Sequence, residues 1–539
     1  MNSCPKCNAE LEVGATECKA CGYNLSAKNS HIVKKGFDFK LLLKIGAPVV
    51  AVILVVAIVL SVVLNKPEAA YNAFGYFRDG NFFLTDFEEG SGDQVTEHFK
   101  DKNILFSNYK DYVRMSSDGK RIFFVDNFDG VSYKLYYKNT SDINAKPMKI
   151  TSDVITYDIS DDGSIVTYTK DNGVLHQHNL EMQSKAIDTD VVNFLVSDNG
   201  KTILYTKYAQ SENSQSYDLY LSKSGKEGSK ILTAVTSFRH VSDNLSTLYY
   251  ISDEVLYRFE VGKTPKKIAE GVRDVINVYD SGEIYLTKLD ADGVISLFYY
   301  NGNKMSDALI KNYYRTEALA NDKPVLISSE YTGEANIYTA VIKDKAYKIE
   351  YNISSIYMNS EGTEVHFVAD FNEVTKSATL YSAKVNNDIG KAKKIADGVS
   401  MGKYINGDKF VYVKDYVSAS MSGTVYVGDK KIAENISYNS IKYSKATDTI
   451  YYFTDMGQNT AKLGMFNGSK SKELAENVLV SSVQVAETGE CVYIADTYKN
   501  DGILYVSNGD SVKQIDHDVS EALLIVSNED FDERSMASF

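Results

Sequence analysis

The chain has 539 residues and a formal net charge of −14, with 40 Tyr, 23 Phe, no Trp and 6 Pro. That length exceeds one ordinary domain, and so acidic a balance argues against a nucleic-acid ligand or an anionic surface. Abundant Tyr, Val, Ile and Thr suit half-buried strands, and the shortage of Pro excludes a Pro-rich stalk.

Four of the five cysteines lie in the first 21 residues, as Cys4-Pro5-Lys6-Cys7 and Cys18-Lys19-Ala20-Cys21. A CxxC turn points two thiolates at one ion, and two such turns close a tetrahedron. Cys4, Cys7, Cys18 and Cys21 are therefore expected to hold one structural Zn²⁺. With four protein ligands the site keeps no open position for catalysis. Residues 1–24 cannot build a core, so metal binding would supply their folding energy. This spacing resembles the short zinc ribbons at the N-terminus of many bacterial membrane proteins. Asn8 departs from the Gly that often follows the first knuckle, although Asn also tolerates a left-handed turn.

Residues 25–44 read as a polar, basic linker. Residues 45–64, IGAPVVAVILVVAIVLSVVL, have Ser61 as their one polar side chain. A helix of that length spans about 30 Å, the thickness of a bilayer core. The expectation is a single transmembrane helix in contact with the lipid bilayer. Lys34, Lys35, Lys40 and Lys44 precede it and only Lys66 follows closely, which predicts a cytoplasmic N-terminus. The expected localisation is thus the cell membrane, single-pass, with the remainder outside. Residues 65–75 form a short stalk.

From residue 76 to 539 a phrase recurs roughly every 40 residues: a Ser/Asp/Asn/Gly turn followed by an apolar, β-rich run. Clear copies are Ser117-Asp118-Gly119-Lys120, Ser160-Asp161-Asp162-Gly163 and Ser197-Asp198-Asn199-Gly200. Weaker ones start near Ser242, Asp280, Asn321, Ser360, Asn406, Lys445 and Glu487, and an earlier one is Arg78-Asp79-Gly80. Each is followed by an apolar–Tyr strand and a short basic or polar strand, as in Leu219-Tyr220-Leu221 and Ile231-Leu232-Thr233. Four short strands per period predict an all-β fold of β-propeller type, with about 10–11 four-stranded repeats. The count points to two propellers in series with a seam near 300–325, with a single large ring as the alternative. Ala522-Leu523-Leu524-Ile525-Val526 is expected to close a ring by pairing with the first strands of the region. The Ser-Asp-Gly-Lys turn with its Leu-Tyr and Lys-Ile-Thr phrases resembles TolB-like propellers and related propellers of bacterial surface proteins, over about residues 76–526.

No HExxH, GxSxG or P-loop motif is present. Ser400-Met401-Gly402-Lys403 fits SxxK but lacks supporting motifs and reads as a turn. His176-Gln177-His178 places two imidazoles on one strand face without a third ligand, so a surface strand is the better reading. Asp290-Ala291-Asp292-Gly293 and Asp126-Asn127-Phe128-Asp129-Gly130 read as hairpins rather than calcium loops. Cys491, in a strand-like run, is expected to be a buried apolar thiol.

The expected function is non-enzymatic: a membrane-anchored protein whose propeller binds a protein or glycan at the cell envelope, while the zinc ribbon meets a cytoplasmic protein partner. The alternatives are an envelope hydrolase or lyase with its active site in the propeller funnel, or an envelope-assembly factor.

Overall fold

The computed structural model describes residues 73–87, 90–96, 113–142, 145–209, 216–331, 336–486, 488–498 and 501–524, together with 2–3, 10–11 and 18–21. The chain divides into two compact units, Met1–Ala69 and Ala70–Phe539. In the first, Asn2–Ser3 pairs antiparallel with Glu10–Leu11.

The second is built almost wholly of antiparallel strands. Among the described residues they form four four-stranded sheets, two seven-stranded ones and one of eleven strands, which resolve into eleven successive four-stranded units, a propeller-like series. In chain order these are unit 1 (73–94, completed by 519–524), unit 2 (113–152), unit 3 (154–188), unit 4 (193–235), unit 5 (237–269), unit 6 (272–311), unit 7 (313–348), unit 8 (353–397), unit 9 (399–437), unit 10 (442–479) and unit 11 (484–516). Met148–Ile159, Lys393–Ile405 and Val512–Leu524 each run on from the fourth strand of one unit into the first strand of the next. Each changes register at a residue with positive φ: Asp153 (66°), Gly398 (72°) and Asp518 (56°).

Local chemistry accounts for the repeat. In unit 3 the Ser160 hydroxyl donates to the Asp162 carboxylate at 2.7 Å and accepts the Ile165 N–H at 3.0 Å. The Gly163 N–H donates to the Ser160 carbonyl at 2.8 Å. The same closed turn recurs at Ser197, again with a glycine, Gly200, and at Ser242, where Leu245 takes the left-handed position at φ 55°. In unit 2 the anchoring serine is Ser116, one residue before the Ser117 at which the sequence phrase begins, because only Ser116 reaches both Asp118 and the Arg121 N–H. Arg78-Asp79-Gly80 also differs from its expectation. It joins the second and third strands of unit 1, whose first strand arrives from the other end of the chain.

Second and third strands carry stacked aromatic pairs in register: Tyr205–Tyr220, Tyr250–Tyr257, Phe367–Tyr381, Tyr412–Tyr426 and Tyr493–Tyr505, with centroids 5.3–5.5 Å apart. Such cross-strand pairs stabilise a sheet beyond the area they bury, and they give the many tyrosines a place.

Apolar clusters then join each unit to the next all the way round. Units 1–3 share one around Phe123; further clusters bridge 3–4, 4–5, 5–6, 6–7, 7–8, 8–9, 9–10 and 10–11. A last cluster packs Val492 and Leu504 of unit 11 against Phe74 and Tyr76 of unit 1. The stretch 300–325 lies within the packing of units 6 and 7, where Leu297 and Ile310 meet Leu326 and Val341. The C-terminal strand pairs with the first strand of the region, Tyr76 opposite Ala522. The Tyr76 hydroxyl and Arg78 guanidinium both donate to Asp516, each at 2.5 Å. The series is thus closed on itself.

The membrane localisation expected from residues 45–64 is corrected. Among the described residues no helix is long and apolar enough to cross a membrane; the regular elements there are strands and a few short 3-10 turns, and apolar side chains pack between neighbouring sheets. Residues 45–64 themselves lie outside the described residues.

Candidate functional site

The turns between first and second strands lie side by side. The Ser117 N–H donates to the Asp161 carbonyl at 2.7 Å, and the Asp161 N–H to the Asp198 carbonyl at 2.8 Å. This row of turns lines up Asp198 of unit 4, Asp243 of unit 5 and Asp280 of unit 6. Between units 5 and 6 it borders a cleft of about 480 Å³. The walls include His240, Tyr249 and Arg258 of unit 5 and Tyr279, Tyr300 and Gly302 of unit 6.

Strand geometry aims these side chains. Tyr249 and Arg258 face one another on the second and third strands. His240, opposite Tyr249 on the first strand just after a register shift, meets that ring edge-on at 5.9 Å. Arg258 is held by Glu260 at 3.1 Å. Tyr300 donates to the Gly302 carbonyl at 2.7 Å and accepts from Lys266 at 3.4 Å. Tyr279 is 4 % exposed, and its hydroxyl lacks a well-formed hydrogen bond, with Asn277 and the Val325 backbone as its nearest polar groups.

Electrostatics sharpen the roles. Burial pushes the His240 imidazole below its ordinary range, against the opposing pull of Asp280 and Asp243, so it stands neutral at pH 7. Burial pushes the Tyr279 phenol up to about 12 and raises that of Tyr249. The site therefore offers neutral phenols, a neutral imidazole, one guanidinium and three turn carboxylates. Among the described residues no group of three or more His, Cys, Asp or Glu is placed to hold a metal ion.

The residues singled out from the sequence lie elsewhere. Cys18 is buried and Cys21 half-buried; the Cys21 N–H donates to the Cys18 carbonyl at 3.3 Å, as in a knuckle turn. Cys4 and Cys7 lie outside the described residues. Lys403 donates to the Tyr438 carbonyl at 2.6 Å and sits 4.6 Å over the Tyr438 ring, on a strand rather than in a turn. His176 and His178 share a strand face, His176 stacked on Tyr168, and burial lowers both imidazoles. Asp290 caps its own hairpin by accepting the Asp292 and Val294 N–H groups, and Asp129 does the same for Val131 and Ser132. Cys491 is buried among Tyr451, Leu463 and Tyr493, and burial drives its thiol far above the usual range. His240, Tyr249, Arg258, Tyr279 and Tyr300 carried no signal beyond the repeat turns near Ser197, Ser242 and Asp280.

No family profile and no curated protein matches this sequence. Among solved structures it is similar to a eukaryotic initiation factor at 10 % identity and TM-score 0.38, over 84 % of this chain and 98 % of that one. It is similar to the tricorn protease at 11 % identity and TM-score 0.26, over 84 % and 61 %. It is also similar to the oligogalacturonate lyase of Vibrio parahaemolyticus at 14 % identity and TM-score 0.25, over 64 % and 94 %.

Proposed function

We propose that this chain is a non-catalytic binding protein: a β-propeller of eleven blades whose cleft between units 5 and 6 takes a glycan. The observation that carries this reading is the convergence of Tyr249, Tyr279, Tyr300 and Arg258 beneath the row Asp198, Asp243, Asp280. Carboxylates and a guanidinium match a sugar's hydroxyls in pairs, and the largely buried tyrosines shape the walls between them. The test is calorimetric titration of the full chain with neutral and acidic oligosaccharides. Arg258→Ala and Tyr300→Ala should each weaken binding by about tenfold or more. Equal affinity in wild type and both variants would overturn the assignment.

The second reading is catalytic and rests on His240. A neutral imidazole beside Tyr249 is equipped to accept a proton from a bound substrate. Release of new reducing ends or unsaturated products from an oligosaccharide, abolished by His240→Ala, would favour it over simple binding.

For the N-terminal unit we propose a structural Zn²⁺ held by Cys4, Cys7, Cys18 and Cys21. The paired Asn2–Ser3 and Glu10–Leu11 flank the first knuckle, and the Cys18–Cys21 turn suits the second. Metal analysis of the full chain should find one zinc per molecule, and Cys18→Ser should lose it; a zinc-free wild-type chain refutes this site.

A further inference from the structure

Antiparallel strands alternate in direction, so each unit has two edges. The first-to-second and third-to-fourth turns share one edge with the cleft. The second-to-third hairpins share the other with the crossings between units. The exposed large apolar side chains gather at this second edge.

Over units 8 to 11 the pattern is regular. The second strand of each unit contains, near its end or just beyond it, an aspartate in the left-handed region: Asp370 (φ 59°), Asp415 (52°), Asp455 (52°) and Asp496 (52°). Within four residues comes an exposed apolar side chain: Val374, Val417, Met456 and Tyr498, at 91, 53, 43 and 74 % exposure. Asp tolerates positive φ better than most residues, and at Asp370, Asp415 and Asp496 it sits in a bulge where the ladder shifts register before pairing resumes. The carboxylates are held in place. Tyr381 donates to Asp370 at 2.9 Å and Asn477 to Asp496 at 3.3 Å. Lys462, beside Asp455, lies within 4 Å of three carboxylates, those of Asp455, Glu473 and Glu476, so the surface stays negative there.

We propose that this edge of units 8–11 docks a cationic, extended polypeptide segment with an apolar side chain at every third position. Sheets packed face to face lie about 10 Å apart, and an extended chain of polyproline II type rises about 3.1 Å per residue with three residues per turn, so every third side chain faces the same way and three residues bridge neighbouring hairpins. Apolar side chains would meet Val374, Val417, Met456 and Tyr498, with Lys or Arg between them facing the aspartates. A repeated exposed apolar surface marks an interaction site. Its negative charge repels both a second copy of this chain and an anionic lipid surface.

The test is fluorescence anisotropy of the full chain with labelled twelve-residue peptides repeating Leu-Lys-Ser, Leu-Glu-Ser or Ser-Lys-Ser. The Leu-Lys-Ser peptide should bind at least about tenfold more tightly than either control, and less tightly as salt rises. The double variant Met456→Ser, Tyr498→Ser should lose about tenfold, and Val374→Ser alone, at the most exposed position, should weaken binding if the double variant folds poorly. Met182→Ser, an exposed apolar residue in a third-to-fourth turn of unit 3, should change nothing. Equal binding of the acidic peptide, or indifference to both hairpin variants, overturns the proposal. So does a dimer in sedimentation that the double variant dissolves, or co-sedimentation with phosphatidylglycerol vesicles that it abolishes. Glycan binding at the cleft is read separately and does not enter these outcomes.

Discussion

Gly200→Ala tests how consecutive units are locked together. Gly200 closes the Ser197 turn with φ +67°, and a Cβ there would lie 2.9 Å from Ile165 Cβ, 3.0 Å from Ser160 Cβ and 3.1 Å from Ile165 Cγ2. The blocking atoms belong to the preceding unit and stand next to its backbone, so they cannot swing away as a long side chain would. The same approach recurs where Gly362 meets Ala320 and Gly407 meets Ser360. An alanine at positive φ costs about 1 kcal/mol, and overpacking against fixed carbons adds about 1–3 kcal/mol, giving a loss of about 2–4 kcal/mol. Gly262→Ala is the internal control: its φ is +84° and nothing lies within 4 Å of the added Cβ, so it isolates the strain of about 1 kcal/mol. Urea unfolding followed by tyrosine fluorescence reads both variants, since the chain has no Trp and 40 Tyr. If the two variants lose the same stability, the interlock between turns contributes nothing and the reasoning is refuted.

Three further outcomes follow from single contacts. Tyr285 is fully buried and its hydroxyl donates to the Pro324 carbonyl of the next unit at 2.7 Å, a carbonyl that also accepts the Lys343 N–H. Because that second bond remains, Tyr285→Phe should cost only about 1 kcal/mol in urea unfolding; a loss above about 3 kcal/mol would contradict this count of partners. At the ring closure, burial pushes the Asp516 carboxyl up, but hydrogen bonds from Tyr76, the His517 N–H and Arg78 outweigh it and hold it below its usual value. Its stabilisation is therefore complete above the ordinary aspartate pKa of about 3.9 and is lost as pH falls through the lower folded value. Hydrogen exchange in 73–86 should quicken across that acid range, and Asp516→Asn should quicken it at every pH. Glu521, half-buried on the closing strand with one carboxylate oxygen unmatched, has its carboxyl pushed up to about 7 by burial. The folded state then favours the protonated form, so stability falls as pH rises from about 4.3 towards 7 and stays low above it. Discounted for partial exposure, Glu521→Gln should stabilise by about 1–2 kcal/mol at pH 8 and by nothing near pH 4. A thermal melt showing equal gains at both pH values would refute the assignment.

The repeat was legible because its causes are local. A serine that reaches an Asx carboxylate and a backbone N–H five residues on makes its own turn wherever it occurs, and an apolar–Tyr strand beside another pairs rings by register alone. Even the closing role of 522–524 could be read, since an apolar strand after the last period has no partner within its own unit. The phrase at Ser117 and the turn at Arg78 were misplaced for complementary reasons. One was a single residue out of register with its anchoring hydroxyl; the other lay in a unit assembled from both ends of the chain.

Sequence alone thus determined the all-β character, the period near forty residues and the kind of turn at each period, because hydrogen bonds within a few residues and alternation along a strand decide those. Only the tertiary structure decided how the eleven units adjoin, that the last clasps the first through Asp516, and that Tyr249, Arg258, Tyr279 and Tyr300 line one cleft. Those residues come from different strands of adjacent units. Their proximity is set by how sheets pack face to face, and strand periodicity carries no record of that.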